Sequence, residues 1–319
     1  MSGMDVASAT VTLRVNRFAP RPERERAARS GSPFGRKSSP FGSSSASARR
    51  RPRGKQWTQD YVLHVRPETT VLECLLTVKR TMDPTLAFRY SCGHGMCGSD
   101  AVSINGTPTL LCTATVGEWA KHAPAAASID DEGFRHTGSP ETIDSSSSDS
   151  NIANAHGDNA ADLGVIELAP LPGFPVQRDL IADIDPMLNQ ITKLAPYLKA
   201  DGVLATTDEG KINVFEYLQR PEQLAKYEML SNCIACGVCE GSCPVFAGGD
   251  AFIGPAALIA VSRFVNDSRD TATAERLDMI DTADGVAACQ SVRACSRHCP
   301  RGIDVGEEMW QIVARVRER

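Results

Sequence analysis

Cys233, Cys236, Cys239 and Cys243 follow one another at C-x2-C-x2-C-x3-C spacing before Pro244, and Cys295-x3-Cys299-Pro300 answers them further along. This is the spacing of two cuboidal iron–sulfur clusters held by one stretch of chain. Three thiolates of such a run clamp one cluster and the fourth reaches the other. The proline after the run keeps the loop from continuing as helix over the metal. By this swapped-ligand logic Cys233, Cys236, Cys239 and Cys299 are the ligands of a [4Fe–4S] cluster. Cys243, Cys289 and Cys295 form a second set, whose missing middle ligand falls at Val292. Three thiolates and a valine cannot fully ligate a four-iron cube, so a [3Fe–4S] cluster is expected. A third constellation, Cys92-x4-Cys97-x2-Asp100 with Cys112 beyond it, has the plant-type [2Fe–2S] spacing with aspartate in the third slot. A carboxylate binds iron, though it is harder and less electron-donating than thiolate; Ser99 is the alternative oxygen donor. Gly93, Gly95 and Gly98 suit a loop whose amides point at sulfur. A zinc site or a bare turn is the competing interpretation of this third run.

The chain has eleven cysteines, an odd number and mostly in ligand spacing, which speaks for a reducing compartment and against a disulfide framework. Cys74 stands apart in an apolar stretch and reads as a core thiol. At 319 residues there is room for two domains. No run approaches the ~20 apolar residues that cross a bilayer, so membrane attachment is expected only through partners. The net charge of −5 is unevenly spread. Residues 20–55 hold eleven Arg and Lys against two Glu, and residues 120–163 hold eight acids against two bases. Both segments are rich in small and polar residues without hydrophobic periodicity, and read as disordered insertions. The basic one has the composition of a transit peptide or a nucleic-acid-binding arm. The alternating run Val11–Phe18 precedes it, however, and its few nearby aromatics (Phe34, Phe41, Trp57) favour a solvated hairpin loop, with no nucleic-acid partner.

The elements that must position the cysteines follow from periodicity. Val11–Phe18 and Tyr61–Val65 read as strands. Thr70 and Glu73 make a capping box for a helix through Leu72, Leu75 and Leu76 that ends before Pro84. After the cysteine loop at 91–100 come a hairpin at Asn105-Gly106, a strand through Leu110–Val116 and a last strand at Val165–Leu168. Pro170–Pro175 reads as an extended connector. Beyond it helical periodicity dominates: a broken run at Asp185–Leu198, a helix leading in from Pro221 to Leu230, and helices at Pro255–Asn266 and Glu307–Arg317. The fold class is α+β.

With these residues in place, the chain resembles the iron–sulfur subunit of succinate dehydrogenase and fumarate reductase. The likeness covers residues 11–18, about 56–119 and 164–310. It is carried by Ser91-Cys-Gly-His-Gly-Met-Cys-Gly-Ser-Asp100, Pro170-Leu-Pro-Gly-Phe-Pro-Val-Gln-Arg-Asp179, Phe252-Ile-Gly-Pro-Ala256, Asp267-Ser-Arg-Asp-Thr271 and Cys299-Pro-Arg-Gly302. Aspartate as third ligand is a known variant among succinate dehydrogenases, which favours Asp100 as an iron ligand. The resemblance implies a β-grasp [2Fe–2S] ferredoxin domain over residues 11–175, interrupted by the two insertions. An all-α ferredoxin domain with the [4Fe–4S] and [3Fe–4S] clusters would follow over 176–319. It also implies a place between a flavoprotein subunit, whose FAD interconverts succinate and fumarate in the tricarboxylic acid cycle, and a membrane anchor that binds quinone. Electrons would pass from flavin through the [2Fe–2S], [4Fe–4S] and [3Fe–4S] clusters to quinone, with the subunit peripheral on the cytoplasmic side of the cell membrane.

Departures from the family pattern gather at the quinone end. Where succinate dehydrogenases have two tryptophans this chain has Ala247-Gly248, with one residue fewer before Phe252, and Gln290 stands where a histidine is expected. These features resemble menaquinone fumarate reductases, whereas Asp100 and Asp267–Thr271 resemble succinate dehydrogenases. Pro244, Gln290 and Val292 are the candidates for contact on the quinone side. Two other functions compete: the iron–sulfur subunit of a soluble flavoprotein complex with a non-quinone electron partner, and a zinc-stabilised interaction module.

Overall fold

The computed structural model describes residues 9–21, 53–122, 128–129, 135–136, 161–200, 209–211 and 219–319. Most of the two charged insertions lies outside the described residues.

The first half is a five-stranded sheet. Its strands are β1 (Ala9–Pro20), β2 (Gly54–Val65), β3 (Ala101–Ile104), β4 (Thr107–Leu110) and, after the short pair β5 (Ser128–Ile129) and β6 (Arg135–His136), β7 (Asp162–Ala169). The sheet order is β2-β1-β7-β3-β4. β1 is an interior strand, antiparallel to β2 and parallel to the central β7, with Leu13 opposite Tyr61 on one side and Ile166 on the other. Its alternation buries Val11, Leu13 and Val15, the period-2 pattern of a strand with one face on a core. The ladder to β2 runs out to Pro20 opposite Gly54, so residues 21–53 bridge two paired strand ends. β3 and β4 meet at Asn105-Gly106, both at positive φ (50° and 81°), as the tight hairpin turn requires.

Across this sheet lies α1 (Val71–Thr81), started by the Thr70–Glu73 capping box. Its face Val71, Leu72, Cys74, Leu75 and Val78 is buried against the sheet. Cys74 is a fully buried thiol, pushed up to about 12 by burial. On the same face of the sheet Arg17 is buried in a polar knot. It donates to Asp179 (2.9 Å), Asp83 (2.6 Å) and the Tyr61 hydroxyl (2.8 Å), while Ala87 N–H donates to the second Asp179 oxygen at 2.9 Å. That knot fixes the chain just before it enters the cysteine loop.

Two extended segments expected from the sequence fold otherwise. β4 stops at Leu110 and no strand continues to Val116; the chain turns because the Cys112 N–H is taken by the Asp100 carboxylate, and a one-turn helix α2 (Val116–Trp119) follows. Pro170–Pro175 is bent, not extended. Gly173 has φ 80°, and a Cβ there would lie 2.9 Å from Ala247 Cα, while Leu171 and Phe174 are buried in the core of the second half. A short hairpin, β8 (Val176–Arg178) and β9 (Ile181–Ala182), then packs on β1, with Asp179 N–H donating to Phe18 O at 2.9 Å.

From residue 185 on the regular elements among the described residues are helices: α3 (Asp185–Lys193), α4 (Pro221–Leu224), α5 (Val238–Ser242), α6 (Pro244–Gly248), α7 (Pro255–Val265), α8 (Thr273–Ile280), α9 (Ala294–Arg297) and α10 (Val305–Arg317). α7 is apolar nearly all round and is the axis of this half, touching α3, α8 and α10. Truncating its fully buried Leu258 to alanine would cost about 2–5 kcal/mol. The broken run expected over Asp185–Leu198 is helical to Lys193, ahead of Pro196. Arg276 of α8, fully buried and paired with Asp270 at 2.8 Å, draws the carbonyls of Ala195 and Tyr197 toward itself at 2.8 and 2.6 Å. The lead-in from Pro221 is only a single helical turn, followed by turns and a 3-10 segment at Met229–Asn232.

Candidate metal centres

The first constellation is a loop built around three glycines in the left-handed region: Gly93, Gly95 and Gly98, with φ of 74°, 77° and 67°. These turns aim backbone amides inward. Gly95 N–H donates to Cys112 Sγ (3.2 Å), Met96 N–H to Cys92 Sγ (3.4 Å) and Cys92 N–H to Cys97 Sγ (3.5 Å). The Cys92 thiol is lowered to about 7, chiefly by the His94 amide, then by Cys97 and the Met96 amide. Cys112 is pushed the other way, to about 12, by burial and then by the Asp100 carboxylate beside it. Asp100 is itself buried, with Oδ2 accepting from Cys112 N–H at 2.7 Å. Its Oδ1 is buried with no hydrogen-bond partner among the described residues. An orphaned carboxylate oxygen beside thiols whose neighbouring amides already point at sulfur is a donor set that fits an iron–sulfur cluster. Ser99 Oγ lies 3.1 Å from Cys97 Sγ.

The second group meets in the helical half. Cys233, Cys236, Cys239 and Cys299 line one cavity with an empty volume of about 370 Å³. Ala235 (φ 50°) and Gly237 (φ 80°) reverse the chain twice between the first three, and Gly237 starts α5. The rest of the wall is apolar, including Ala256 and Ile259 of α7, apart from Arg301. Burial raises Cys236 to about 12 and lifts Cys239 well above an ordinary thiol, with the neighbouring thiols adding to both shifts. Unmetallated, Cys236 and Cys239 are protonated; a bound cation supplies the charge that ionises them. The space and the soft donors fit a cluster.

The third set is Cys243, between α5 and α6, Cys289 after a 3-10 turn, and Cys295 in α9. Cys295 is pushed up to about 11 by burial, then by the nearby Cys243 and Cys289. Pro244, Gln290 and Val292 are all exposed beside them. Val292 is 52% exposed, between Ser291 and Arg293, which both hold positive φ (56° and 60°). Two non-glycine residues in the left-handed region mark a strained loop.

Three residues that carry no ligand spacing also belong to this neighbourhood. Gly98 brings the first two groups into contact: a Cβ there would lie 2.5 Å from Cys236 Cβ. Glu240 is fully buried within the cysteine run, its Oε1 accepting from Ala256 N–H (3.1 Å) at the start of α7. A Cβ on Gly254 would fall 2.2 Å from its carboxylate, so glycine is required there. Arg301, next to Cys299 and Pro300, reaches toward the first loop. The glycine and the two charges were visible as residues in the sequence, but the contacts they make depend on how the two halves and α7 pack.

Comparison with known proteins agrees with this layout. A family model described as a 2Fe-2S iron-sulfur cluster binding domain matches residues 12–189, and one described as a 4Fe-4S dicluster domain matches residues 229–303. The chain is 31% identical over 246 residues to the fumarate reductase iron-sulfur subunit of Mycobacterium tuberculosis (strain CDC 1551 / Oshkosh), covering 77% of this chain and 80% of that protein. It is 27% identical over 243 residues to the fumarate reductase iron-sulfur subunit of Haemophilus influenzae (strain ATCC 51907 / DSM 11121 / KW20 / Rd), covering 74% and 77%. A chain of the Mycobacterium smegmatis Sdh1 complex in the apo form shares the fold, with TM-score 0.65 over 98% of both chains at 21% identity. Two cluster-binding domains in this order define an electron-transfer protein. The chain belongs to the family of iron–sulfur subunits of fumarate reductase and succinate dehydrogenase, and is the electron-transfer part of such an oxidoreductase complex.

Proposed function

We propose that this subunit carries electrons between a flavoprotein partner, where succinate and fumarate interconvert, and a quinone bound by a membrane anchor. Its two domains would be a β-grasp ferredoxin domain and an all-helical ferredoxin domain, with the division, expected after residue 175, drawn just after the β8–β9 hairpin because that hairpin packs on β1. Cys92, Cys97, Asp100 and Cys112 hold a [2Fe–2S] cluster. Cys233, Cys236, Cys239 and Cys299 hold a [4Fe–4S] cluster, and Cys243, Cys289 and Cys295 a [3Fe–4S] cluster. When bound, these clusters supply one-electron carriers of different potential. The chain's own work is to keep them apart from water, donate hydrogen bonds to sulfur and fix their spacing.

The observation that carries this reading is the contact of Gly98 with Cys236, which sets the first sulfur loop directly against the second. Among the described residues no helix is long and apolar enough to cross a membrane. Peripheral attachment on the cytoplasmic face through the anchor is therefore part of the proposal, with exposed Pro244, Gln290 and Val292 turned to the quinone side.

The test is Val292→Cys in the purified complex. The unmodified protein is expected to show the paramagnetic signal of an oxidised [3Fe–4S] cluster. The variant should replace it with a second four-iron centre of lower potential and slow quinone reduction, by ~0.7 kcal/mol of driving force for each 30 mV in a one-electron step. An unmodified complex without that signal when oxidised would overturn the third centre.

A further inference from the structure

Arg301 faces two cluster sites at once. It lines the cavity ringed by Cys233, Cys236, Cys239 and Cys299. Its Nε is buried and has no acceptor among the described residues. At the other end of the same guanidinium, Nη1 donates to the sulfur of Met96 at 3.1 Å, and Met96 sits inside the Cys92–Cys97 loop of the other half. The side chain thus runs from one sulfur site to the next.

We propose that Arg301 is a positioning and potential-setting residue: a fixed cation that offers its Nε–H to sulfur at the four-cysteine site and ties the [2Fe–2S] loop to that site through Met96. The proposal rests on the ligand assignment made above. Three points of chemistry carry it. A buried guanidinium N–H is costly unless it finds an acceptor, and sulfur held by the four thiols is the acceptor this cavity offers. A cation and a hydrogen bond to sulfur both favour the reduced, more negative cluster, and so raise its potential. Only a planar fork with donors at both Nε and Nη serves two sites at once; a lysine ammonium is a single point charge at the end of a flexible stem.

The experiment is a redox titration of the intact complex followed by paramagnetic resonance, comparing unmodified protein with Arg301→Met and Arg301→Lys. Arg301→Met should lower the reduced-to-oxidised ratio of the four-iron centre at a fixed potential at least tenfold, which is 59 mV for a one-electron couple. Arg301→Lys, keeping the charge but not the Nε donor, should give a smaller drop. The three-iron centre should stay within twofold in both, because the contacts of Arg301 lie on the other side of the relay. A purely structural strut would leave the four-iron ratio unchanged with clusters intact, and that result overturns the proposal. Should Arg301→Met fail to retain its cluster, Arg301→Lys decides: a drop confined to the four-iron centre supports the role, and an unchanged ratio overturns it. A complex whose unmodified form shows no four-iron signal on reduction would instead overturn the ligand assignment, and the inference with it.

Discussion

Around the first loop the His94 amide, Cys97 and the Met96 amide pull Cys92 down to about 7 even as burial lifts Cys112 to about 12, whereas around the helical cavity burial drives Cys236 up to about 12. The loop sits on a sheet half whose core of Leu13, Leu75, Ile104 and Ile166 takes in Val238 of α5 at its margin. The cavity is cut into the helical core itself, with Ala256 and Ile259 of α7 both in its wall and in the packing. At the loop the chain's own dipoles already favour charged sulfur at Cys92, while Cys112 there is pushed up as far as Cys236. At the cavity the chain relies on the metal to offset desolvation. Because its core lies mostly away from its sulfur loop, the sheet half should stand without iron; the helical half, whose core walls the cavity, should not.

Removing iron by chelation breaks or sustains that contrast most directly. Hydrogen exchange across α5, α9 and the 229–303 segment should accelerate by roughly a hundredfold or more, while β1, β2 and α1 change little. Equal loss of protection in both halves would remove the distinction. The next largest effect is expected at Asp100. Asp100→Ala should cost most of the [2Fe–2S] content and spare the helical clusters, and Asp100→Cys should retain the cluster at a shifted potential, as read from iron content and resonance titration. Unchanged content and potential in the alanine variant would reduce Asp100 to an acceptor for Cys112 N–H.

A smaller effect tests the support beneath the loop. Burial opposes ionisation of Asp83, but hydrogen bonds from Thr85, Tyr61 and Arg17 outweigh it and hold the carboxyl well below the usual carboxylate range. A depressed folded value gives stability that is present above the unfolded pKa, about 3.9, and lost as pH falls through the folded one. Tyr61, pushed up to about 12 by burial and then by Asp83, gives stability that is lost instead as pH rises from about 10 toward 12. Asp83→Asn should thus destabilise by roughly 1–2 kcal/mol at pH 7, with the difference from unmodified protein shrinking below about pH 4. A difference independent of pH in denaturant titrations would contradict the assigned charge. Smallest of all, replacing residues 22–52 by a short Gly-Asn turn should change stability by less than ~0.5 kcal/mol, because Arg21 N–H already bonds Arg53 O at 2.9 Å. A larger loss in thermal unfolding would give that segment a structural duty.

Where local chemistry decides, the sequence was legible. Thr70 and Glu73 start α1, Asn105-Gly106 turns the β3–β4 hairpin, and cysteine spacing anticipated which thiols lie together. Where one distant side chain decides, it was not. Leu110, Cys112, Ala114 and Val116 alternate like a strand, yet the Asp100 carboxylate captures the Cys112 amide and ends it. The prolines of 170–175 suggest an extended rod, but Gly173 lets the chain bend against Ala247. The run Asp185–Leu198 breaks after Lys193, ahead of Pro196, as its sequence suggests, but the course of the chain beyond the break depends on Arg276, eighty positions further along, which collects the carbonyls of Ala195 and Tyr197. Cysteine spacing is visible along the chain; Glu240 and Arg301 acquire their surroundings only once α7 and the two halves are packed.

Gly98 carries one more consequence, for how such a protein can be recombined. Its single hydrogen is all that separates the first loop from Cys236, so the junction between the halves behaves as a fixed spacer and not as a hinge. A ferredoxin-like sheet domain grafted from elsewhere would dock at the same depth only if it brought a glycine at that place. Any bulkier residue would wedge the two loops apart, and the graft would fold, bind its iron and still conduct poorly.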